Sequence, residues 1–251
     1  MLAIERRSEI MSLLEQNQRV LVSELSRFFG VTEETIRRDL EKLAQDGLAE
    51  KTYGGAVLKQ SVSVDMPFRV RERTNTKQKT TIAEKAIALV EDGDTLMLDS
   101  SSTVLGIARR LSIRRHVTVI TNSVEALLVL SALPGVTVVS TGGTLRETSL
   151  SLVGGSAERM LRHYNVDKAF LSCKGLDMEK GAMESNEPEC EIKRAMRTAA
   201  AKTYLAVDNT KLGKVSFVKL FDLEGVAGVI TENTPETKWI EHFRANRVEI
   251  Y

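Results

Sequence analysis

Two adjacent arginines, Arg37 and Arg38, stand in the stretch from Val31 to Gly47, Val-Thr-Glu-Glu-Thr-Ile-Arg-Arg-Asp-Leu-Glu-Lys-Leu-Ala-Gln-Asp-Gly. A guanidinium group presented on a rigid helix can bind guanine O6 and N7 as a fork, or clamp a phosphate. A second set of residues, rich in hydroxyls and glycine, recurs further on. It comprises Asp99-Ser100-Ser101-Ser102-Thr103, Thr121-Asn122-Ser123, Ser140-Thr141-Gly142-Gly143-Thr144, Ser172-Cys173-Lys174-Gly175 and Asp208-Asn209-Thr210-Lys211. Such residues offer O–H and N–H donors, and their glycines let an anion approach closely. The chemistries in view are reading a duplex and holding a small phosphorylated sugar or polyol.

The arginines need a helix beneath them. Thr32 is a good N-cap, its hydroxyl accepting from the Thr35 N–H, and Glu33 and Glu34 favour the positive end of the helix dipole. Ile36, Leu40 and Leu43 repeat as one buried stripe, and Gly47 supplies the left-handed residue that ends the helix. At about 100° per residue, Arg38 lies almost opposite Ile36, with Glu34, Glu41 and Lys42 beside it and Arg37 on the flank. Upstream, 21–31 reads as a short helix with a Ser23 cap and with Leu25, Phe28 and Phe29 buried. Gly30-Val31 joins the two at helix-turn-helix spacing. Ile4 to Glu15 forms a third amphipathic helix through Ile4, Ile10, Met11, Leu13 and Leu14. A hairpin follows, turned by Gly54 and Gly55, with Lys51 and Tyr53 as phosphate contacts. The expectation is a winged helix-turn-helix over 1–58, mainly α with a small β wing. Its DNA-facing residues are expected to be Thr32, Glu34, Thr35, Arg37, Arg38, Lys42, Lys51 and Tyr53. Most arginine pairs are merely a solvated face; the helix-turn-helix spacing and the hairpin argue for more.

Charge alone does not argue for DNA. Residues 1–60 hold nine Lys/Arg against ten Asp/Glu, and 61–80 hold five against two. Affinity would rest on local placement of cations and on pairing of two chains. At 251 residues and 42% hydrophobic content the chain has room for two modest domains with cores. No apolar run approaches the ~18–20 residues of a membrane span. The start, Met1-Leu-Ala-Ile-Glu-Arg-Arg7, has no apolar h-region of a secretory signal, so a cytoplasmic location and no membrane partner are expected. Cys173 and Cys190 give neither a disulfide framework nor a metal-pair motif. No metal and no cofactor are expected.

Residues 59–80 read as a linker, polar at Gln60-Ser-Val-Ser-Val-Asp-Met66, with an anchor at Pro67-Phe68. From 81 to 251 helices and strands alternate. Helices are expected at 81–91, 103–111, 123–132, 155–163, 188–202 and 235–245. Strands are expected at 95–98, 117–121, 136–140, 168–172, 203–207 and 226–230. Strands joined by helical crossovers predict a mostly parallel α/β sheet, covered on both faces. Tyr164 and Trp239 are expected in packing. Each hydroxyl-rich loop follows a strand, and ligands of open parallel sheets bind beyond the carboxyl ends of the strands. Any one loop is what a strand-to-helix turn uses anyway; five on one edge point to a site. The expected effector residues are Asp99, Ser100, Ser101, Ser102, Thr103, Thr121, Asn122, Ser123, Gly142, Gly143, Lys174, Glu189 and Lys211.

Thr35-Ile-Arg-Arg-Asp-Leu-Glu-Lys-Leu43, Gly47 and Tyr53-Gly-Gly-Ala56 together resemble the DeoR/GlpR family of bacterial sugar-catabolism regulators. The resemblance continues through Pro67-Phe-Arg-Val-Arg71, Lys79, Asp99-Ser-Ser-Ser-Thr103, Thr121-Asn-Ser123 and Thr141-Gly-Gly-Thr144. Beyond these it includes Asp167-Lys-Ala-Phe170, Gly175-Leu-Asp177 and Asp208-Asn-Thr-Lys-Leu-Gly213, and so covers essentially the whole chain. It implies a C-terminal domain similar to ribose-5-phosphate isomerase and CoA-transferase-like folds, which binds a phosphorylated sugar and relays this to DNA affinity. It also implies a homo-oligomer, dimer or tetramer, and a repressor of a carbohydrate-catabolism operon that its effector releases from a double-stranded operator.

The alternative is a sugar-phosphate isomerase-like enzyme fused to a DNA-binding module. Such an enzyme needs a general base that moves protons between adjacent carbons. The isomerases carry a paired-aspartate turn where this chain reads Ser172-Cys-Lys-Gly-Leu-Asp177, with one aspartate and a lysine. His116, His163 and His242 have no partner at metal or triad spacing, and Cys173 beside Lys174 could carry a lowered thiol pKa. Catalysis is therefore not expected. A third reading, an architectural DNA-binding protein with a vestigial sheet domain, leaves the hydroxyl loops unexplained.

Overall fold

A computed structural model of the chain describes residues 2–59 and 65–251, with all side chains but those of Glu15 and Gln16. Two compact units meet in sequence between Thr74 and Asn75. Of the stretch read as a linker, 60–64 lies outside the described residues, and most of 68–80 is helical.

The first unit runs α1 (Ala3–Asn17), β1 (Arg19–Leu21), α2 (Val22–Phe29), α3 (Glu33–Gln45), β2 (Ala49–Thr52), β3 (Gly55–Leu58) and α4 (Phe68–Arg73). The three strands form one antiparallel sheet in the order β1-β3-β2, which is the wing. Ile10, Met11, Leu14, Leu25, Ile36, Leu40, Leu43 and Val70 make a shared core, so α4 packs with the reading unit through Val70. Thr32 caps α3 as expected, its hydroxyl accepting from Thr35 N at 3.3 Å. Gly47, at φ 73°, carries the chain out of that helix.

Three local expectations fail. Leu21, not Ser23, occupies the N-cap of α2, and no side chain caps it. Phe28 is 66% exposed, because Val22 and Leu25 take the buried face of this two-turn helix. Phe29 takes the core side of the last turn, and Phe28 stands edge-on against it, ring centroids 4.9 Å apart. Ile4 is exposed on the first turn of α1.

The second unit begins with α5 (Thr76–Ile87), β4 (Thr95–Leu98), α6 (Ser102–Ala108), β5 (Val117–Thr121), α7 (Val124–Ser131) and β6 (Val136–Ser140). It continues with β7 (Thr144–Arg146), β8 (Ser151–Val153), α8 (Gly155–Leu161), β9 (Val166–Leu171), β10 (Gly175–Asp177) and β11 (Gly181–Glu184). It ends with α9 (Glu187–Thr198), β12 (Ala200–Ala206), β13 (Val218–Phe221), β14 (Gly228–Ile230), α10 (Thr237–Ala245) and β15 (Glu249–Ile250). Seven strands form a parallel sheet in the order β15-β14-β12-β9-β4-β5-β6. The six expected strands are in it, and β15 adds an edge.

Two expectations about the boundaries give way to packing. The helix expected over 188–202 ends at Thr198, and β12 starts at Ala200 in register with Val166 of β9. The alanines at 199–201 favour helix in isolation, but sheet pairing overrides a propensity of a few tenths of a kcal/mol. The hairpin β7–β8 and the small antiparallel sheet β10-β11-β13 were not anticipated, being strands of three or four residues without clear alternation. Trp239 is buried among core side chains, but Tyr164 is exposed, correcting its expected place in packing. Among the described residues no helix is long and apolar enough to cross a membrane.

The chain leaves β4 to build β5 and β6 on one side, then returns to lay β9 on the other. This reversal is a topological switch point, and the loops after β4 and β9 leave the carboxyl edge of the sheet there.

Candidate functional site

The α3 surface carries its cations outward and its core residues inward. Arg38 is 78% exposed and pairs with Glu34 at 3.3 Å, and Arg37 pairs with Glu33 at 2.6 Å. Lys42 meets Asp46 at 2.9 Å, and Lys51 on the wing meets Glu41 of α3 at 3.2 Å. Exposed i,i+4 pairs contribute roughly 0.3–0.5 kcal/mol, so these pairs are weakly held. Thr32 and Thr35 share a hydroxyl contact of 2.9 Å at the start of α3, and Tyr53 stands fully exposed on the wing turn.

The residue after the arginine pair faces the other way. Asp39 is buried and accepts from Arg6 Nε at 2.5 Å, with Arg7 Nη1 at 3.5 Å. This ion pair ties α1 to the inner side of α3, and no local pattern pointed to it.

In the second unit every expected effector residue lies on the carboxyl edge of the sheet or on an element bonded to it. Asp99 follows β4, and its carboxylate accepts from Ser101 N at 2.9 Å and Ser172 N at 2.8 Å, joining the loops of β4 and β9. Thr121 donates to Leu98 O at 2.7 Å and accepts from Ser123 N, joining β5 to β4. Ser101 and Ser123 cap α6 and α7. Ser100 donates to Glu189 Oε2 at 2.9 Å. Gly142 and Gly143 follow β6 with positive φ; a Cβ on Gly143 would sit 2.7 Å from Val153 O, so this glycine also lets the β7–β8 hairpin pack. Ser102 and Thr103 are buried in the first turn of α6. Lys174 and Lys211 are half-buried on the loops after β9 and β12. Asn122 is fully buried; its Nδ2 donates to Leu152 O at 3.3 Å, while its Oδ1 has no partner among the described residues.

Sequence reasoning missed a buried ionic network behind this edge. Lys193 of α9 bonds Glu184 Oε2, reaches Asp99 Oδ2 at 3.3 Å and donates to Ser172 O at 2.8 Å. Glu189 also accepts from Ser151, which lies 2.7 Å from Ser149, itself a partner of Arg146 at 3.1 Å. Lys193 falls four residues after Glu189 on α9, a spacing visible in the sequence; Glu184, Arg146, Ser149 and Ser151 carry no such local signal.

Burial would raise the Glu184 carboxyl, but the charges of Lys193 and Lys174 and the hydrogen bonds from Lys193 and Ser185 N–H outweigh it and hold it at about 2. Burial would lower Lys193, but Glu184, Asp99 and Glu189 hold it raised above its ordinary range. A carboxylate at about 2 is a poor general base at neutral pH, and a lysine held protonated is no nucleophile. The thiols are inert as well. Burial pushes Cys173 up to about 12 and Cys190 to about 11, which overturns the lowered pKa expected for Cys173. Asp177 accepts from the N–H groups of Glu179 and Lys180 and so closes a turn. Among the described residues no cluster of three or more His, Cys, Asp or Glu is placed to hold a metal.

This network sets a pH dependence. Glu184 lies below its ordinary 4.5, so its contribution is complete above about 4.5 and lost as pH falls toward 2. Lys193 lies above its ordinary 10.5, so its contribution is complete below that value and lost only as pH rises through the folded one. Urea midpoints of the second unit should therefore be flat between pH 6 and 9 and fall steeply between about 4.5 and 2. In Glu184→Gln that acid limb should shrink; an unchanged limb would assign it to other carboxylates.

A winged helix-turn-helix followed by a parallel α/β unit with hydroxyl-rich loops at its strand ends is the build of a transcriptional regulator. Residues 6–62 match the model of the DeoR-like helix-turn-helix domain, and 74–233 match that of the DeoR C terminal sensor domain. The chain is 39% identical over 250 residues to the uncharacterized HTH-type transcriptional regulator YulB of Bacillus subtilis, covering 100% of this chain and 96% of that protein. It is 32% identical over 248 residues to the putative aga operon transcriptional repressor of Escherichia coli O157:H7, covering 98% and 92%. Among solved structures it is similar to ribose 5-phosphate isomerase of Methanocaldococcus jannaschii, with 21% identity, a TM-score of 0.42 and 55% of each chain covered. The chain belongs to the DeoR family of transcriptional regulators. The two relatives are named as regulators, not enzymes.

Proposed function

We propose that the chain represses a carbohydrate-catabolism operon in the cytoplasm and is released from DNA when a phosphorylated sugar or polyol occupies the strand-end loops. The observation that carries this reading is the outward cationic face of α3, with Arg38 78% exposed on the side opposite the buried Ile36. Arg37 and Arg38 enter the major groove and read base edges or phosphate. Glu34 orients Arg38, while Thr32, Thr35, Lys42, Lys51 and Tyr53 contact the backbone on either side. A homo-oligomer, dimer or tetramer, presents two such heads to half-sites spaced by whole turns, ~34 Å or multiples. The effector sits at the switch point, its phosphate against Asp99–Thr103 and Thr121–Ser123 and its charge met by Lys174 and Lys211. Its hydroxyls face Glu189 and the unpartnered Asn122 Oδ1, and Gly142-Gly143 closes the far side. Binding favours the arrangement that fits the operator less well, and reciprocally DNA opposes the effector. The 32% identity to a protein named as the putative aga operon transcriptional repressor supports the choice of repression.

The test uses a duplex selected from a random pool by the purified chain. Arg38→Ala should weaken that duplex by about 10–100-fold, the worth of one bidentate base contact at ~1–3 kcal/mol. Its melting temperature should be unchanged, since the side chain is exposed. Full sequence-specific affinity in the variant removes the assigned role. A panel of pentose and hexose phosphates should contain a compound that raises the melting temperature and weakens the duplex together, without giving isomerised product.

A further inference from the structure

Helix α4 ends at Arg73 and α5 starts at Thr76, so two residues join the reading unit to the sensor unit. Each has only two soft dihedrals, and both residues are held by their side chains. Thr74 is extended, φ −88° and ψ 140°, and its hydroxyl donates to Val70 O at 2.9 Å. That bond fastens it to α4, which moves with the first unit because Val70 lies in its core and Arg73 reaches Glu9 at 3.7 Å. Asn75 is left-handed, φ 53° and ψ 40°, and its carbonyl accepts from Lys79 N at 3.0 Å, making it the first residue of the α5 end. Asparagine is one of the few L residues that tolerate this conformation.

Glycine would adopt that backbone more easily but would supply no donor. The Asn75 amide uses its own. Nδ2 lies 3.3 Å from Asp208 Oδ1 and 3.3 Å from Thr210 Oγ1. Both acceptors belong to the turn that follows β12 on the carboxyl edge. Asp208 is 1% exposed and accepts from Thr210 N at 3.2 Å and from the Thr210 hydroxyl. The same turn donates Gly213 N to Leu176 O at 2.8 Å and Asn209 N to Glu232 Oε2 at 3.0 Å. It is thereby stitched to the chain just beyond β9 and beyond β14.

We propose that Asn75 is a latch: its side chain ties the two-residue joint to the 208–213 turn, and strand-end occupancy and duplex binding are coupled through that tie. The proposal rests on the repressor reading above and adds the route of its regulation. A displacement of the 208–213 turn pulls on Asn75, and through it on the two-residue joint that precedes α5. The converse follows from linkage: a duplex that holds the reading unit must perturb the turn.

The experiment needs no effector. Hydrogen–deuterium exchange of the full chain is followed with and without the selected duplex. In the wild-type chain the duplex should change exchange by about threefold or more at amides 208–214, a modest coupling of the usual size. Asn75→Gly keeps the left-handed backbone and removes the donor. It should bind the duplex within about threefold of wild type, as a surface change does, while the response at 208–214 disappears. Thr210→Val removes one acceptor without touching the joint and should diminish the same response, so a poorly folding glycine variant does not end the test. An undiminished response in both variants, or no response in the wild type that binds DNA, overturns the latch alone. Failure of the wild-type chain to select any duplex overturns the repressor reading and the latch with it.

Discussion

Replacing Lys193 with Met should cost the sensor unit about 3–5 kcal/mol, the usual penalty for removing one partner from a buried ionic group. The Lys193 side chain is 5% exposed, and those of Glu184 and Asp99 are 4% and 0% exposed. Methionine fills a similar volume, so the loss is electrostatic rather than a cavity. Asp99 would keep the N–H groups of Ser101 and Ser172, and Glu184 would keep Ser185 N at 2.9 Å and the charge of Lys174, but the two buried carboxylates would lose the cation they share. The variant should therefore gain stability as pH falls and the orphaned carboxyl takes a proton, the reverse of the wild-type limb. Trp239 is the only tryptophan in the chain and is buried in the second unit, so its fluorescence reports that unit alone. In a unit of this size the melting temperature should drop by roughly 10 °C. Adding Glu184→Leu to Lys193→Met should recover much of the loss, because a buried pair exchanged whole for apolar residues is often neutral or better. A loss under about 1 kcal/mol would show that water reaches Glu184 and Asp99, and that Lys193 is not what holds them ionised.

What could be read from the residues alone follows the range of the forces involved. The capped α3, its stripe and its outward arginines are set within one turn or two, so Thr32, Ile36, Arg38 and Gly47 disclosed them directly. The six strand sites came from apolar runs, and the gathering of polar loops on one sheet edge came from the residues behind each run. The ionic partners did not come from the sequence. Arg6 and Asp39 are separated by 33 positions, and Ser100 and Glu189 by 89, so only the tertiary fold brings them together. Cys173 shows the opposite error. Lys174 is its neighbour in sequence, yet burial fixes the thiol and pushes it up, because successive residues need not share an environment. Phe28 failed for a related reason: a two-turn helix has one buried face, and another aromatic already held its edge.

The reading unit should be as sensitive to Asp39 as the sensor unit is to Lys193. Asp39→Ala leaves Arg6 buried at 8% exposure without its partner at 2.5 Å, and the expected loss is again about 3–5 kcal/mol. The unit has only 74 residues, and small domains bury too little surface to tolerate such a loss with ease. Far-UV circular dichroism should therefore show early melting of helical signal, while Trp239 fluorescence melts as in wild type. Duplex affinity should fall in parallel at 37 °C and recover substantially on cooling to near 15 °C, since the defect is in folding rather than in contact. Arg38→Ala predicts the opposite pair of results, a normal melt and an affinity deficit at every temperature. Adjacent residues on one helix thus separate by the direction they face: Arg38 outward to solvent, Asp39 inward toward Arg6. A variant at 39 that melts normally yet fails to bind would mean that Asp39 acts at the duplex, and that the Arg6 contact does not hold α1 against α3 in solution.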